Sequence, residues 1–243
     1  MAGITEQVSA SLDALTREFD VIAHNLANVS TVGYKRRCSA FSEALGEQAS
    51  TGAEGSGQEE PSQAVFDFSQ GHLIQTDRVL DCALHGKGFF VVETPEGPLY
   101  TRHGVFETNQ NGQVVDLSGR IVAGTAGPLV VPASAGLSRV HVGPDGRVSA
   151  DGAPVGQFRV VEFADKEDQL VPAGENCFWA PEDVNPIDVE NLVVKQGFRE
   201  ASNVRLIDEL VNMITVSRMY EANMRLVNVT KDATSSLISA ASG

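Results

Sequence analysis

A mostly apolar seam in the stretch 203–241 recurs at alternating steps of four and three: Leu206, Leu210, Met213, Ser217, Tyr220, Met224, Val227, Lys231, Thr234 and Ile238, with the polar Ser217, Lys231 and Thr234 falling on it. A mean step of 3.5 is the period of a helix wound against a partner in a left-handed supercoil. No proline or glycine interrupts the stretch, so it reads as one helix of about 55 Å at 1.5 Å per residue. Ile207, Val211 and Ile214 widen the apolar stripe over the first turns, which predicts contact with more than one neighbour. Near the N-terminus, Val8, Leu12, Leu15, Phe19, Ile22, Leu26 and Val29 repeat the same period over three heptads. Two terminal helices with matching seams can pair antiparallel with the middle of the chain looped out. The same spacing also fits two amphipathic helices packed separately on a globular core.

The first helix is expected to stop where Asn28, Ser30, Thr31 and Gly33 follow one another. Their side chains compete with helical hydrogen bonds or tolerate left-handed dihedrals. Asn25 and Asn28, three apart, share a face beside the apolar stripe. Such amides either fix the register between helices or simply face solvent at a helix end. Residues 46–63 are rich in Gly, Ser, Gln and Glu without a large apolar side chain, a composition that predicts a mobile, solvated loop. From 79 to 196 the pattern changes to short β runs separated by turn dipeptides: Asn111-Gly112, Ser118-Gly119, Asp145-Gly146 and Asp151-Gly152. Phe89-Phe90-Val91-Val92, Leu99-Tyr100-Thr101 and the run from Gln157 to Phe163 are among the predicted strands. In that run Phe158 and Val160 and, after a shift, Val161 and Phe163 are expected to point inward. Turns every eight to twelve residues without helices between them mean an all-β domain.

The fold class is therefore α+β, with N- and C-terminal helices paired as a coiled coil and flanking one central all-β domain. The expected boundaries are 1–35 for the first helix, 36–78 for an extended linker, 79–196 for the β domain and 197–243 for the last helix.

Composition narrows the function. A hydrophobic content of 42% and a charged content of 21% describe a folded chain. A net charge of −14 argues against binding nucleic acid or an anionic membrane surface, and Lys35, Arg36 and Arg37 form the one compact basic cluster. No apolar run is long enough to cross a bilayer, and no secretory signal pattern opens the chain. Cys38, Cys82 and Cys177 lack metal-ligand spacing and read as small buried hydrophobes. The histidines at 24, 72, 85, 103 and 141 form no zinc motif, and Gly86-Lys87-Gly88 leads into a strand and lacks the third glycine of a dinucleotide loop. His85 and His103 near Asp81 fit turn and strand-end positions better than a catalytic group. No catalytic residue, metal site or cofactor is expected.

Three blocks carry a resemblance. Residues 25–35 (NLANVSTVGYK) resemble the N-terminal signature of bacterial flagellar rod and hook proteins. Leu80-Asp81-Cys82-Ala83-Leu84, Gly86-Lys87-Gly88-Phe89-Phe90 and residues 100–106 (YTRHGVF) are similar to the start of their central β domain. Glu200-Ala201-Ser202-Asn203-Val204, then Glu209-Leu210-Val211-Asn212 and Tyr220-Glu221-Ala222-Asn223, resemble their C-terminal signature. Length points to the FlgF or FlgG type, and the spacing from Gly124 to Val142 leans towards FlgF. Among the departures, His24 stands where the family more often has asparagine, Cys82 occupies an apolar position, and Ser217-Arg218-Met219 replaces the usual Gln-Arg-Ala.

The resemblance implies a structural subunit of the basal-body rod that polymerises through its terminal helices into a tube transmitting torque from motor to hook. It implies other rod and hook subunits, further copies of the chain and the flagellar type III export apparatus as partners. The implied location is the periplasmic rod, reached without a cleaved signal peptide. The residues it marks for assembly are Leu12, Leu15, Phe19, Ile22, Asn25, Leu26, Asn28, Gly33, Tyr34, Asn203, Leu210, Met213, Tyr220 and Asn223. His24 on a subunit contact would make assembly weaken near pH 6. Two other readings stay open: a coiled-coil oligomer whose β domain binds a ligand, and a hydrolase using Asp81 or Asp116.

Overall fold

The computed structural model describes residues 2–38, 65–133, 135–164, 166–189 and 192–242; the loop expected at 46–63 lies outside them. Helix α1 (Ala2–Ala27) opens the chain and α2 (Leu206–Ser242) closes it, with a β-rich region between, so the architecture is α+β. After α1 come β1 (Arg36–Cys38), β2 (Val65–Asp67), β3 (Leu73–Gln75), β4 (Cys82–Leu84), β5 (Phe89–Thr94) and β6 (Gly97–Thr101). Then follow β7 (Phe106–Thr108), β8 (Val114–Asp116), β9 (Ile121–Gly124), β10 (Gly127–Pro128), β11 (Val140–Val142), β12 (Arg147–Ala150) and β13 (Ala153–Gln157). The last are β14 (Val160–Glu162), β15 (Val171–Gly174), β16 (Cys177–Trp179), β17 (Ile187–Asp188), β18 (Val194–Gln196) and β19 (Phe198–Glu200). The chain divides into two compact units: among the described residues, one holds 2–27, 37–38 and 205–242, the other 28–36 and 65–204.

In the β-rich unit the main sheet runs β15-β16-β6-β5-β9-β8-β7, with β10 on β9 and β14 joining β5 to β17. Its centre is β5, an unbroken apolar run of the kind expected where a strand is covered on both faces. Phe90 and Val92 enter one core cluster with Phe106, Val122 and Phe158, whereas Phe89 and Val91 enter another with Tyr100, Phe163 and Phe178. The segment after β13 obeys the same division. Phe158 and Val160 join the first cluster and Val161 and Phe163 the second, so the expected shift hands side chains to the opposite face of the sheet. Asp151 (φ 53°) and Gly152 (φ 79°) turn β12 into β13, a pair of positive angles matched to the twist of a two-residue hairpin. The late strands return to the early ones: β18 pairs antiparallel with β4 and β19 with β3, setting Glu200 opposite Leu73.

In the helical unit, Leu15 and Ile22 of α1 bury themselves with Val216 of α2, and Leu26 and Met213 pack alongside. Asn223 Nδ2 donates to Ser11 Oγ at 3.0 Å. Early α1 thus lies beside late α2, and the two helices run antiparallel. The line of contact departs from the seam read in the sequence. On α2 it follows Glu209, Met213, Val216 and Asn223, which leaves Leu210 and Tyr220 exposed. On α1 it takes Glu18 and leaves Phe19 38% exposed. A helix turns every 3.6 residues and not every 3.5, so a heptad pattern defines two neighbouring stripes nearly equally well. Packing selects the one that buries Val216 and keeps Ser217 at the margin, where its hydroxyl bonds back to the Met213 carbonyl at 2.8 Å.

Candidate assembly interface

The signature residues sort into two groups, one in each unit. In the β-rich unit, residues 28–36 are fastened to the end of β19. The turn that stops α1 forms as expected: Thr31 donates its amide to the Asn28 carbonyl (3.1 Å) and its hydroxyl to Asn28 Oδ1 (3.2 Å). Asn28 therefore ends a helix and sets no register. Gly33, at φ 66°, donates its amide to the Glu200 carbonyl at 2.8 Å. A Cβ there would stand 2.6 Å from the backbone nitrogen of His103, so the close approach demands glycine. Tyr34 beside it is buried. The β15–β16 turn reaches the same loop, with Asn176 Nδ2 donating to the Val32 carbonyl at 3.2 Å.

Next to Gly33 lies a buried charge cluster that the sequence did not announce. Lys35 Nζ meets Glu200 Oε1 at 2.7 Å and donates to the Ser69 carbonyl at the same distance. Glu200 Oε1 also accepts the Gly71 amide, and Glu200 Oε2 lies 3.4 Å from an Arg102 guanidinium nitrogen. All three charged side chains are buried. Burial holds the Lys35 ammonium below its usual range, opposed by Glu200. The same two influences act on Arg102, whose guanidinium faces the Phe89 ring at 5.3 Å. Lys35 belongs to the compact basic cluster seen in the sequence; spacing along a chain cannot reveal a partner 165 positions away. Asn203 completes the junction, its Oδ1 taking the Arg36 amide at 2.7 Å and its Nδ2 donating to the Asp67 carbonyl at 2.7 Å.

In the helical unit, Asn25 is fully buried and exchanges two hydrogen bonds of 2.9 Å with the backbone of Arg37. Its amide imitates a strand neighbour and does not face water. Among the described residues, Asn223 and Ser11 make a polar tie between the helices. Of the seam residues, Leu15 and Ile22 are buried, Leu12, Leu26 and Met213 half-buried, and Phe19, Leu210 and Tyr220 exposed. The missed contributors are Val216, Glu18 and Glu209; the two carboxylates gave no signal because charged residues are rarely buried.

Residues weighed for chemistry have structural engagements. Asp81 accepts the Thr76 hydroxyl at 2.7 Å. Asp116 accepts the amides of Ser118 and Arg120 and the Arg120 Nε at 2.6 Å. His103 lies near both carboxylates, while His85 is exposed. Cys82 and Cys177 are buried free thiols, with burial pushing Cys82 up to about 12. Cys38 is only half-buried, unlike the small core hydrophobe expected there. The helices are too polar for a bilayer: no helix among the described residues is long and apolar enough to cross a membrane.

Three family models match the chain in order. The flagella basal body rod protein model covers residues 8–35, the flagellar hook protein FlgE/F/G D1 domain model residues 83–150, and the flagellar basal body rod FlgEFG protein C-terminal model residues 195–240. The flagellar basal-body rod protein FlgG of Buchnera aphidicola subsp. Schizaphis graminum is 34% identical over 89% of this chain and 91% of its own length. FlgG of Agrobacterium fabrum is 32% identical over 95% and 96%, and FlgF of Caulobacter vibrioides 31% identical over 92% and 91%. Blocks that carry the junction and the helix pair thus fall inside the matched regions, and the chain belongs to the flagellar basal-body rod proteins, a family of structural subunits of the flagellum.

Proposed function

We propose that this rod subunit polymerises through its terminal helices, α1 and α2 pairing as a coiled coil and adding to those of neighbouring subunits to form a tubular axial structure that transmits torque from motor to hook. The observation that carries the reading is the unequal covering of α2. One stripe is buried against α1, while Leu206, Ile207, Leu210, Val211 and Ile214 are exposed beside it. A monomer rarely leaves so contiguous an apolar surface to water. Head-to-tail contacts that do not close on themselves build a helix and not a ring.

The assembly residues are those named from the signatures, with Gly33, Tyr34 and Asn203 acting through the junction. The functional division follows helix 1–35, linker 36–78, β domain 79–196 and helix 197–243. The chain reaches the periplasmic rod through the flagellar type III export apparatus, binds no nucleic acid and does not insert into membrane. Its partners are rod and hook subunits and further copies of itself.

Light scattering over a concentration series tests the reading. The purified chain is expected to be monomeric when dilute and to grow into open-ended tubes when concentrated, and Leu210→Glu is expected to stay monomeric with its β-sheet signal intact. A small oligomer of fixed size at every concentration would replace the rod reading with a closed coiled-coil module.

A further inference from the structure

Ile207, Leu210, Val211 and Ile214 stand at i, i+3, i+4 and i+7 on α2. That is the four-residue diamond into which one side chain of a facing helix inserts in knobs-into-holes packing. Their exposures are 74%, 44%, 56% and 55%, so the hole is open. Among the described residues of α1, Phe19 is the large apolar side chain that stands exposed, and Leu12 and Leu26, each seven residues from it, are half-buried on the same line.

We propose that Phe19 of a second copy of this chain fills the hole formed by Ile207, Leu210, Val211 and Ile214. The inference rests on the rod-subunit reading and adds which faces meet. Phe19 cannot fill the hole of its own subunit. It lies between Leu15, which borders a recess with Met219 and Asn223, and Ile22, which packs with Val216. Its level on α2 is therefore near residues 217–218, about seven residues beyond the centre of the hole, or roughly 10 Å at 1.5 Å per residue.

A second copy displaced along the helix axis brings the two together. The contact then joins different surfaces on the two subunits and leaves each with one free knob or one free hole, which is the condition for an open filament. The occupant is argued from continuity. The hole adjoins the buried α1–α2 stripe through Met213, so a helix seated there extends an existing interface, and a second α1 seated there continues the α1–α2 pairing already present, with Phe19 as its exposed knob.

The test uses full-length chains carrying Cys38→Ser, one with Phe19→Cys and another with Val211→Cys, mixed, concentrated and oxidised. The mixed 19–211 disulfide is expected in assembled material and absent from dilute monomer, with 19–19 and 211–211 products minor. Tubes without the mixed disulfide would overturn the pairing and leave the rod reading standing. Growth only after a related rod subunit is added would assign the hole to that subunit and overturn a second copy as occupant. A cysteine-free-surface control (Cys38→Ser alone) that never assembles at any concentration would sink the rod reading and the pairing together. Ile207→Asp, at an exposed position, is expected to keep the helical circular dichroism of the monomer and lose assembly; persistent tubes in that variant would also overturn the proposal.

Discussion

Phe89 and Val216 are both buried, but in very different surroundings. Among the described residues, Phe89 belongs to one of two β-unit clusters, of ten and eighteen buried residues, that sandwich a strand between them, whereas Val216 shares its cluster with Leu15 and Ile22. Each buried aliphatic side chain contributes roughly 1.5–3 kcal/mol, so the described contact of Leu15, Ile22 and Val216 by itself offsets little of the ordering entropy of two long helices. The β-rich unit also pairs buried charges internally, as Lys35 and Arg102 on Glu200 show. The helical unit instead keeps apolar side chains in water. One region buries its apolar side chains within the chain, and the other, among its described residues, leaves many of them exposed, as the proposed assembly requires.

The sharpest way to break that comparison is to strand charge inside the complete region. Glu200→Ala leaves Lys35 and Arg102 buried without their carboxylate and is expected to cost about 3–5 kcal/mol, read by urea unfolding followed through the β-sheet signal. A loss below about 1 kcal/mol would mean the cluster is solvated and the junction is not sealed. In the helical unit, Ile22→Ala removes one third of a small core and is expected to cost about 2–4 kcal/mol, seen as a lower melting temperature of the helical signal in the dilute monomer. An unchanged melt would show that α1 and α2 are held by something other than the Leu15–Ile22–Val216 contact.

A smaller effect is expected from Asn25→Ala, about 1–3 kcal/mol for an Arg37 backbone left without its two bonds. Amide hydrogen exchange at Arg37 is the direct readout, and unchanged protection there would contradict the strand-like role of the side chain.

Proton linkage gives the gentlest contrast. Burial holds His103 below 6.5, with Arg120 acting the same way and Asp116 and Asp81 opposing. As pH falls below 6.5 the unfolded chain takes its proton first, so the stability present above that value is lost as pH drops towards the folded pKa. The β-rich unit is expected to melt progressively lower between pH 7 and 5, and less steeply in His103→Gln. In the helical unit His24 is held down by burial and by Arg37, so acid places a second cation beside Arg37, and assembly is expected to weaken over the same interval. Polymerisation indifferent to pH between 5 and 8 would remove His24 from the interface.

How far these regions could be read from sequence follows the same division. The two helices and the hairpins were legible because periods of 3.5 and 2 and dipeptides such as Asp151-Gly152 are local signals. The contact line on α2 was not, since neighbouring stripes fit a heptad almost equally and only packing prefers Val216 to Ser217. Nor was the two-sided burial of β5, because a short apolar run has no polar face to betray its orientation. Gly33 and Asn203 were found, but the partners that explain them, His103 and the Arg36 amide, come from other parts of the fold. Leu210 and Phe19 were placed on the right helices yet on the outer face.

Lys35 and Glu200 meet across 165 intervening steps of sequence, and that separation has a kinetic meaning. A chain that emerges N-terminus first carries Lys35 as a solvated cation until most of its length has followed. Contacts that distant form late because the loop they close must be ordered before they stabilise anything. Until β19 arrives, Gly33 has no carbonyl to meet and the loop after α1 has nowhere to dock. The cluster therefore couples the two ends of the β-rich unit: the loop after α1 docks only once residue 200 is in place.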